Sequence, residues 1–214
     1  MSILDTLRAK RAIAIVRGIP KKYAVPLAEA FLRGGICMTE FTFDQRDSAT
    51  WRETAEAISA IAEAFEGKIS VGAGTVLTSE QLHIAKDAGA QYIVAPNVNP
   101  ALIEEAKALS LGAFPGALTP SEIVTAYAAG ADAVKLFPAA NLGTGYVKAV
   151  CAPLAHIPLI AVGGINEKNA ADYIAAGCIG VGVGGNLVDK EKIARGEWDD
   201  IARAAKALAD ALGI

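Results

Sequence analysis

The stretch AVKLFP, residues 133–138, is a short apolar run with one lysine in its middle and a proline closing it. Ahead of it AAGA (128–131) reads as a helix end and turn, and behind it Ala139, Ala140, Asn141 and Gly143 read as a loop. Such a run is a buried parallel strand that carries an ammonium near its carboxyl end. Desolvating an ammonium is costly and lowers its pKa. A neutral lysine is a nucleophile, and its typical chemistry is Schiff-base formation with a carbonyl. Taken alone, Lys135 fits equally well a strand-end lysine whose head snorkels into solvent. The rest of the chain has to decide.

Working outward, the same form recurs. Apolar runs lie at 12–17, 37–42, 69–75, 92–96, 112–116, 133–138, 158–164 and 179–185. Between them, segments 22–33, 51–65, 79–88, 101–109, 121–129, 146–154 and 167–176 have helical spacing, as in Ile58, Ile61, Ala62 and Phe65. Thr78, Asn99, Thr119 and Asn166 stand at helix N-cap positions, and Gly35, Gly89, Gly130 and Gly177 at helix ends. Ala-Gly-Ala at 88–90 and again at 129–131 is a weak internal repeat of one strand–helix unit. Strands alternating with helices pair in parallel through right-handed crossovers. Eight such units predict an α/β chain folded as a single (β/α)8 TIM barrel over 1–214, with a short N-terminal helix within 1–10 and a C-terminal helix at 198–212.

Composition agrees. The chain has 214 residues, an ordinary size for one α/β barrel, and 53% of them are hydrophobic, which suits a parallel sheet buried on both faces. No apolar run is long enough to span a bilayer, and residues 1–10 lack a hydrophobic signal core, so no membrane partner and a cytoplasmic location are expected. Cys37, Cys151 and Cys178 are odd in number and lack metal-like spacing, which reads as reduced thiols. A net charge of −3 without a basic stripe argues against nucleic acid.

In this fold the active site lies at the carboxyl ends of the strands, and polar groups gather there. Arg17 ends the first run, Glu40 and Thr42 the second, Thr75 the third and Pro96 the fourth. Lys135 and Phe137 end the sixth, Gly163-Gly164 the seventh and Gly184-Gly185 the eighth. Side chains alternate along a strand, so Lys135 shares a face with Phe137, and Glu40 with Thr42; Val134 and Leu136 then pack outward. A lone Glu40 among uncharged neighbours has a raised pKa. Opposite Lys135 it is either half of a structural ion pair or the acid/base partner of a nucleophile. Two successive diglycines suit a phosphate held by backbone N–H groups, to which Arg17 adds a cation unless it forms a rim salt bridge. His83 and His156 read as surface or packing residues. No metal-ligand cluster and no dinucleotide fingerprint is present in the pattern, so no cofactor is expected.

These residues resemble the 2-keto-3-deoxy-6-phosphogluconate / 4-hydroxy-2-oxoglutarate aldolases, small class I aldolases. The marks are AVPLAEAFLRGG (24–35), Glu40, VGAGTVLTSEQL (71–82), GAQYIVAPN (89–97), PGALTPSEI (115–123), VKLFPA (134–139) and VGGI (162–165). The resemblance implies that Lys135 forms the Schiff base and Glu40 moves protons. It implies that Thr75 contacts the pyruvate carboxylate, that Pro96 and Phe137 line the pocket, and that Arg17 and the glycine pairs hold the phosphate. It also implies a homotrimer acting on a small, phosphorylated 2-keto acid.

Three departures bear on substrate. Gluconate-type members carry a carboxylate-binding arginine where this chain has Asp44, with Arg46 two residues on as its candidate replacement. Val162 replaces a threonine, and Gly184-Gly185-Asn186 lacks a serine, that many members have. The valine and APN (95–97) look more like the branch acting on 2-keto-3-deoxy-6-phosphogalactonate. The expected function is therefore aldol cleavage of a gluconate-type phospho sugar acid or 4-hydroxy-2-oxoglutarate to pyruvate and an aldehyde. The alternatives are the galactonate activity or, because Asp44 adds negative charge near a carboxylate site, a non-catalytic barrel that binds an anionic metabolite. An isomerase or epimerase on the same fold would need a second acid/base or a metal.

Overall fold

A computed structural model describes residues 2–214; Met1, the first residue of the expected N-terminal helix, lies outside the described residues. The strands are β1 (Ala12–Val16), β2 (Met38–Thr42), β3 (Ser70–Gly74), β4 (Tyr92–Val94), β5 (Gly112–Phe114), β6 (Gly116–Ala117), β7 (Val134–Leu136), β8 (Leu159–Val162) and β9 (Gly180–Val183). They form one sheet in the order β5-β4-β3-β2-β1-β9-β8-β7-β6, and every pairing is parallel.

The run at 112–116, expected as one strand, is two. Proline has no N–H for a ladder, and the run breaks at Pro115. Its first half pairs with β4 and its second with β7, so the two ends of the sheet are joined by a single covalent segment and the barrel closes there. The Pro115 carbonyl still accepts the Lys135 N–H at 2.8 Å. Glycine is needed next: a Cβ at Gly116 would sit 2.4 Å from the Pro96 carbonyl oxygen.

The helices are α1 (Ile3–Lys10), α2 (Ala24–Arg33), α3 (Trp51–Ala64), α4 (Ser79–Asp87), α5 (Pro100–Ala108), α6 (Pro120–Ala128), α7 (Ala139–Cys151), α8 (Ala170–Ala175), α9 (Lys190–Arg195) and α10 (Trp198–Leu212). Thr78, Asn99 and Thr119 cap α4, α5 and α6, the last as a reciprocal capping box with Glu122. Asn166 does not cap. Its side chain accepts the Lys168 N–H in a turn of its own, and α8 starts only at Ala170. Residues 139–142, expected as loop, form a helical turn that breaks at Gly143 (φ 74°, ψ 170°) before α7 resumes.

Outward-facing strand residues such as Val16, Phe41, Val134 and Leu136 pack with the helices in the main core. A second cluster fills the lumen: Leu7, Ile13, Met38, Tyr92, Val94, Phe114, Ala133, Ile160 and Val162. Large side chains meet glycines across this space. A Cβ at Gly72 would lie 2.4 Å from the Tyr92 ring, and one at Gly180 would lie 2.9 Å from Leu7. Leu7 and Ile3 come from α1, which plugs the amino end of the barrel. The carboxyl end is left to the polar residues.

Candidate active site

Lys135 is the middle residue of β7, with Val134 and Leu136 turned into the outer core and its own side chain turned into the lumen. Only 8% of it is exposed, and 2% of Glu40 on β2. Burial pushes the Lys135 pKa below the usual lysine range; the negative charge of Glu40 opposes that shift and the positive charge of Arg17 adds to it. Burial pushes the Glu40 carboxyl up, against the pull of Lys135 and Arg17. The Lys135 ammonium nitrogen lies 4.9 Å from the centroid of the Phe137 ring, its neighbour on the same face. Glu40 Oε2 is buried without a hydrogen-bond partner among the described residues. A purely structural ion pair would satisfy its carboxylate; here that oxygen is left free while the carboxyl and the desolvated amine line the same cavity.

Gly74, the last residue of β3, makes the carboxylate's position possible. A Cβ there would fall 2.9 Å from Glu40 Oε1, 3.0 Å from its Cδ and 2.8 Å from Thr42 Cγ2. Gly74 falls within VGAGTVLTSEQL (71–82), where a glycine inside a strand pattern signals only a bulge or a close backbone approach. Thr75 follows with a left-handed backbone (φ 57°), a sparsely populated state for a β-branched residue. Its Oγ1 accepts from Arg17 Nη2 at 3.4 Å.

Lys135, Glu40, Arg17, Thr75, Pro96, Phe137 and all four glycines of the two diglycines line one cavity of ≈ 540 Å³ at the carboxyl mouth. The glycine pairs differ. Gly163 (φ 94°) and Gly164 (φ 75°) are both left-handed, whereas Gly184 and Gly185 have ordinary backbones and Gly185 faces open space.

Thr42 and Arg46 stand elsewhere. They line an adjoining groove of ≈ 620 Å³ that shares Arg17 and Thr75 with the first cavity. The Arg46 side chain is 89% exposed and folds back on Asp44. Its Nε and Nη2 donate to the two carboxylate oxygens at 3.0 and 2.6 Å, and its N–H donates as well. These bonds hold the Asp44 carboxyl well below the usual range. The expected replacement of the family arginine is thus occupied with its neighbour. His83 pairs with Glu105 at 3.0 Å and His156 packs edge-on against Tyr127, so both are surface residues. Among the described residues no three His, Cys, Asp or Glu side chains gather as a metal site would require, and no helix is long and apolar enough to cross a membrane.

Such a site suits a carbonyl substrate that carries an anionic group: a desolvated amine, a carboxyl able to take and give protons in the same cavity, and left-handed glycines and an arginine at the rim. Comparison with known proteins agrees with that chemistry. Residues 3–204 match the family profile described as KDPG and KHG aldolase. The chain is 38% identical to the 2-dehydro-3-deoxy-6-phosphogalactonate aldolase of Escherichia coli K12 over 82% of its length and 83% of the relative's. It is 32% identical to the 2-dehydro-3-deoxy-phosphogluconate aldolase of Haemophilus influenzae over 97% and 95%. Among solved structures, the native KDPGal structure superposes with a TM-score of 0.85 at 35% identity, covering 94% of each chain. The KDPG aldolase of Legionella pneumophila, with pyruvate captured at low pH as a covalent carbinolamine, superposes at 0.86 with 28% identity, over 97% of this chain and 98% of that one.

Proposed function

The chain belongs to the KDPG and KHG aldolase family and is a carbon–carbon lyase, and from that premise we propose that it cleaves 2-keto-3-deoxy-6-phospho sugar acids to pyruvate and a phosphorylated aldehyde through a Schiff base on Lys135. Neutral Lys135 attacks the C2 ketone and, with loss of water, gives an iminium. Glu40 takes the C4 hydroxyl proton, and the C3–C4 bond breaks as its electron pair moves into the iminium. The resulting enamine is protonated at C3, and hydrolysis frees pyruvate and the amine. Thr75 contacts the substrate carboxylate, Pro96 and Phe137 wall the reacting carbons, and Arg17 with the glycine pairs holds the phosphate. Binding energy at the phosphate then serves the reacting carbon from a distance.

One observation carries the reading: an amine and a carboxyl with opposite burial-driven pKa shifts face one cavity at the carboxyl mouth. The test is to incubate the protein with pyruvate, reduce with borohydride and analyse the peptides by mass spectrometry. We expect a reduced pyruvyl adduct on Lys135. Its absence, under conditions that label another class I aldolase, would sink the mechanism.

Among the candidate substrates the phosphogalactonate derivative is favoured over the phosphogluconate one and over unphosphorylated 4-hydroxy-2-oxoglutarate. Arg46 is committed to Asp44 rather than free to bind a carboxylate, and Val162 and Pro96-Asn97 keep the pattern of the galactonate branch. Comparing kcat/KM on the three substrates checks this. The same ion pair weakens the case for a barrel that only binds an anion, since it neutralises Asp44. A homotrimer in the cytoplasm completes the proposal, supported by the apolar fraction of 53% and by exposed apolar side chains such as Val124 and Tyr127.

A further inference from the structure

We propose that Gln81, acting through Gln45, is a positioning residue that holds Thr75 in its left-handed conformation against the substrate carboxylate. The proposal rests on the reading of Thr75 as the carboxylate contact. Gln81 is a polar residue on α4 with no exposed surface. A buried amide is costly unless both of its ends are bonded, and here both are. Oε1 accepts the Leu77 N–H at 2.8 Å. Nε2 donates to Gln45 Oε1 at 3.0 Å, and Gln45 Nε2 donates onward to the Thr75 carbonyl at 2.7 Å.

The two amides therefore grip the segment after β3 at two points, the carbonyl of residue 75 and the N–H of residue 77. Between these points the chain leaves the strand through the left-handed turn at Thr75. Such a state in a β-branched residue persists only where the surroundings over-determine it. The turn carries Thr75 Oγ1 to Arg17 at the rim of the catalytic cavity. Neither glutamine lines that cavity, and Gln45 lines only the adjoining groove, so their effect on pyruvate bound at Lys135 passes through Thr75. Gln81 falls within VGAGTVLTSEQL (71–82), but nothing in that stretch distinguishes a bonded buried glutamine from an ordinary helix-surface one.

The experiment measures the pyruvate concentration giving half-maximal borohydride trapping on Lys135. The variants are Gln81→Met, Gln45→Leu, Thr75→Ala and the doubles that combine Thr75→Ala with each glutamine change. Acetone, a ketone without a carboxylate, serves as the control. We expect both glutamine variants to raise the half-saturating pyruvate concentration by about 10- to 100-fold. Trapping at saturation, and trapping with acetone, stay at the parent level, and neither change adds to Thr75→Ala. Gln45 is exposed, so its variant tests the network even where Gln81→Met fails to fold. Unchanged half-saturation in Gln45→Leu, an equal loss with acetone, or additivity with Thr75→Ala would overturn the inference while leaving the aldolase reading intact. If Thr75→Ala itself leaves half-saturation unchanged, the role given to Thr75 falls first, and the inference falls with it.

Discussion

Glu40 and Lys135 are each strained by burial in a direction that serves the proposed chemistry. The lowered lysine pKa favours the neutral amine that attacks the ketone, and the raised carboxyl pKa makes the Glu40 carboxylate a stronger base toward the C4 hydroxyl proton. Stability bears the cost. A carboxyl whose folded pKa is raised stabilises fully only below its unfolded pKa, and that contribution is lost as pH rises through the folded value. Replacing Glu40 by Gln should therefore raise the melting temperature at neutral pH, by roughly 0.5–2 kcal/mol in stability. The gain should shrink as pH falls below the ordinary glutamate range, which calorimetry across pH checks. The same variant should slow cleavage by about 10²–10⁴ while pyruvate trapping on Lys135 survives.

Gly74→Ala tests the fit from the other side. A methyl group 2.9 Å from Glu40 Oε1 must displace the carboxylate, so cleavage should fall by about 10²-fold with trapping retained. Lys135 and Glu40 were legible in the sequence because a charge inside an apolar run is conspicuous. Gly74, Gln45 and Gln81 were not, because their roles lie in what they leave room for or hold in place.

At the scale of elements, caps and breaks decide where each piece stops. The Thr119 hydroxyl and the Glu122 carboxylate close the start of α6 reciprocally. Thr119→Ala should cost about 1 kcal/mol, read as a lower urea midpoint with an unchanged slope and unchanged kcat. The alternation of strand and helix was readable from apolar spacing, and α10 has the bounds expected of it. Short pieces escaped. Helix α9 has six residues, too few to show a period. The split at Pro115 was hidden because one apolar run looks the same whether it pairs with one neighbour or two. Asn166 has the right chemistry for a cap, but its side chain bonds within its own turn.

For the whole molecule, the count of eight strand–helix units sufficed to place the candidate site, because closure leaves two ends and this architecture builds chemistry at only one. Which cavity each polar residue enters was less readable. Arg46 depends on a side chain folding back on Asp44, a choice made by local hydrogen bonds rather than by strand position. Thr42 ends the same strand as Glu40, yet it lines the adjoining groove.

The plug made by α1 has a kinetic corollary. With Leu7 and Ile3 sealing the amino end, the lumen is a blind vessel, and everything that enters or leaves must pass the one mouth. On the proposed mechanism pyruvate would be tethered at depth on Lys135, with the phosphorylated fragment nearer the rim. Product departure should then be compulsory in order, aldehyde first and pyruvate last. Pyruvate should inhibit cleavage competitively with substrate and the aldehyde should inhibit noncompetitively, a pattern that steady-state product inhibition would show and that release in either order would not.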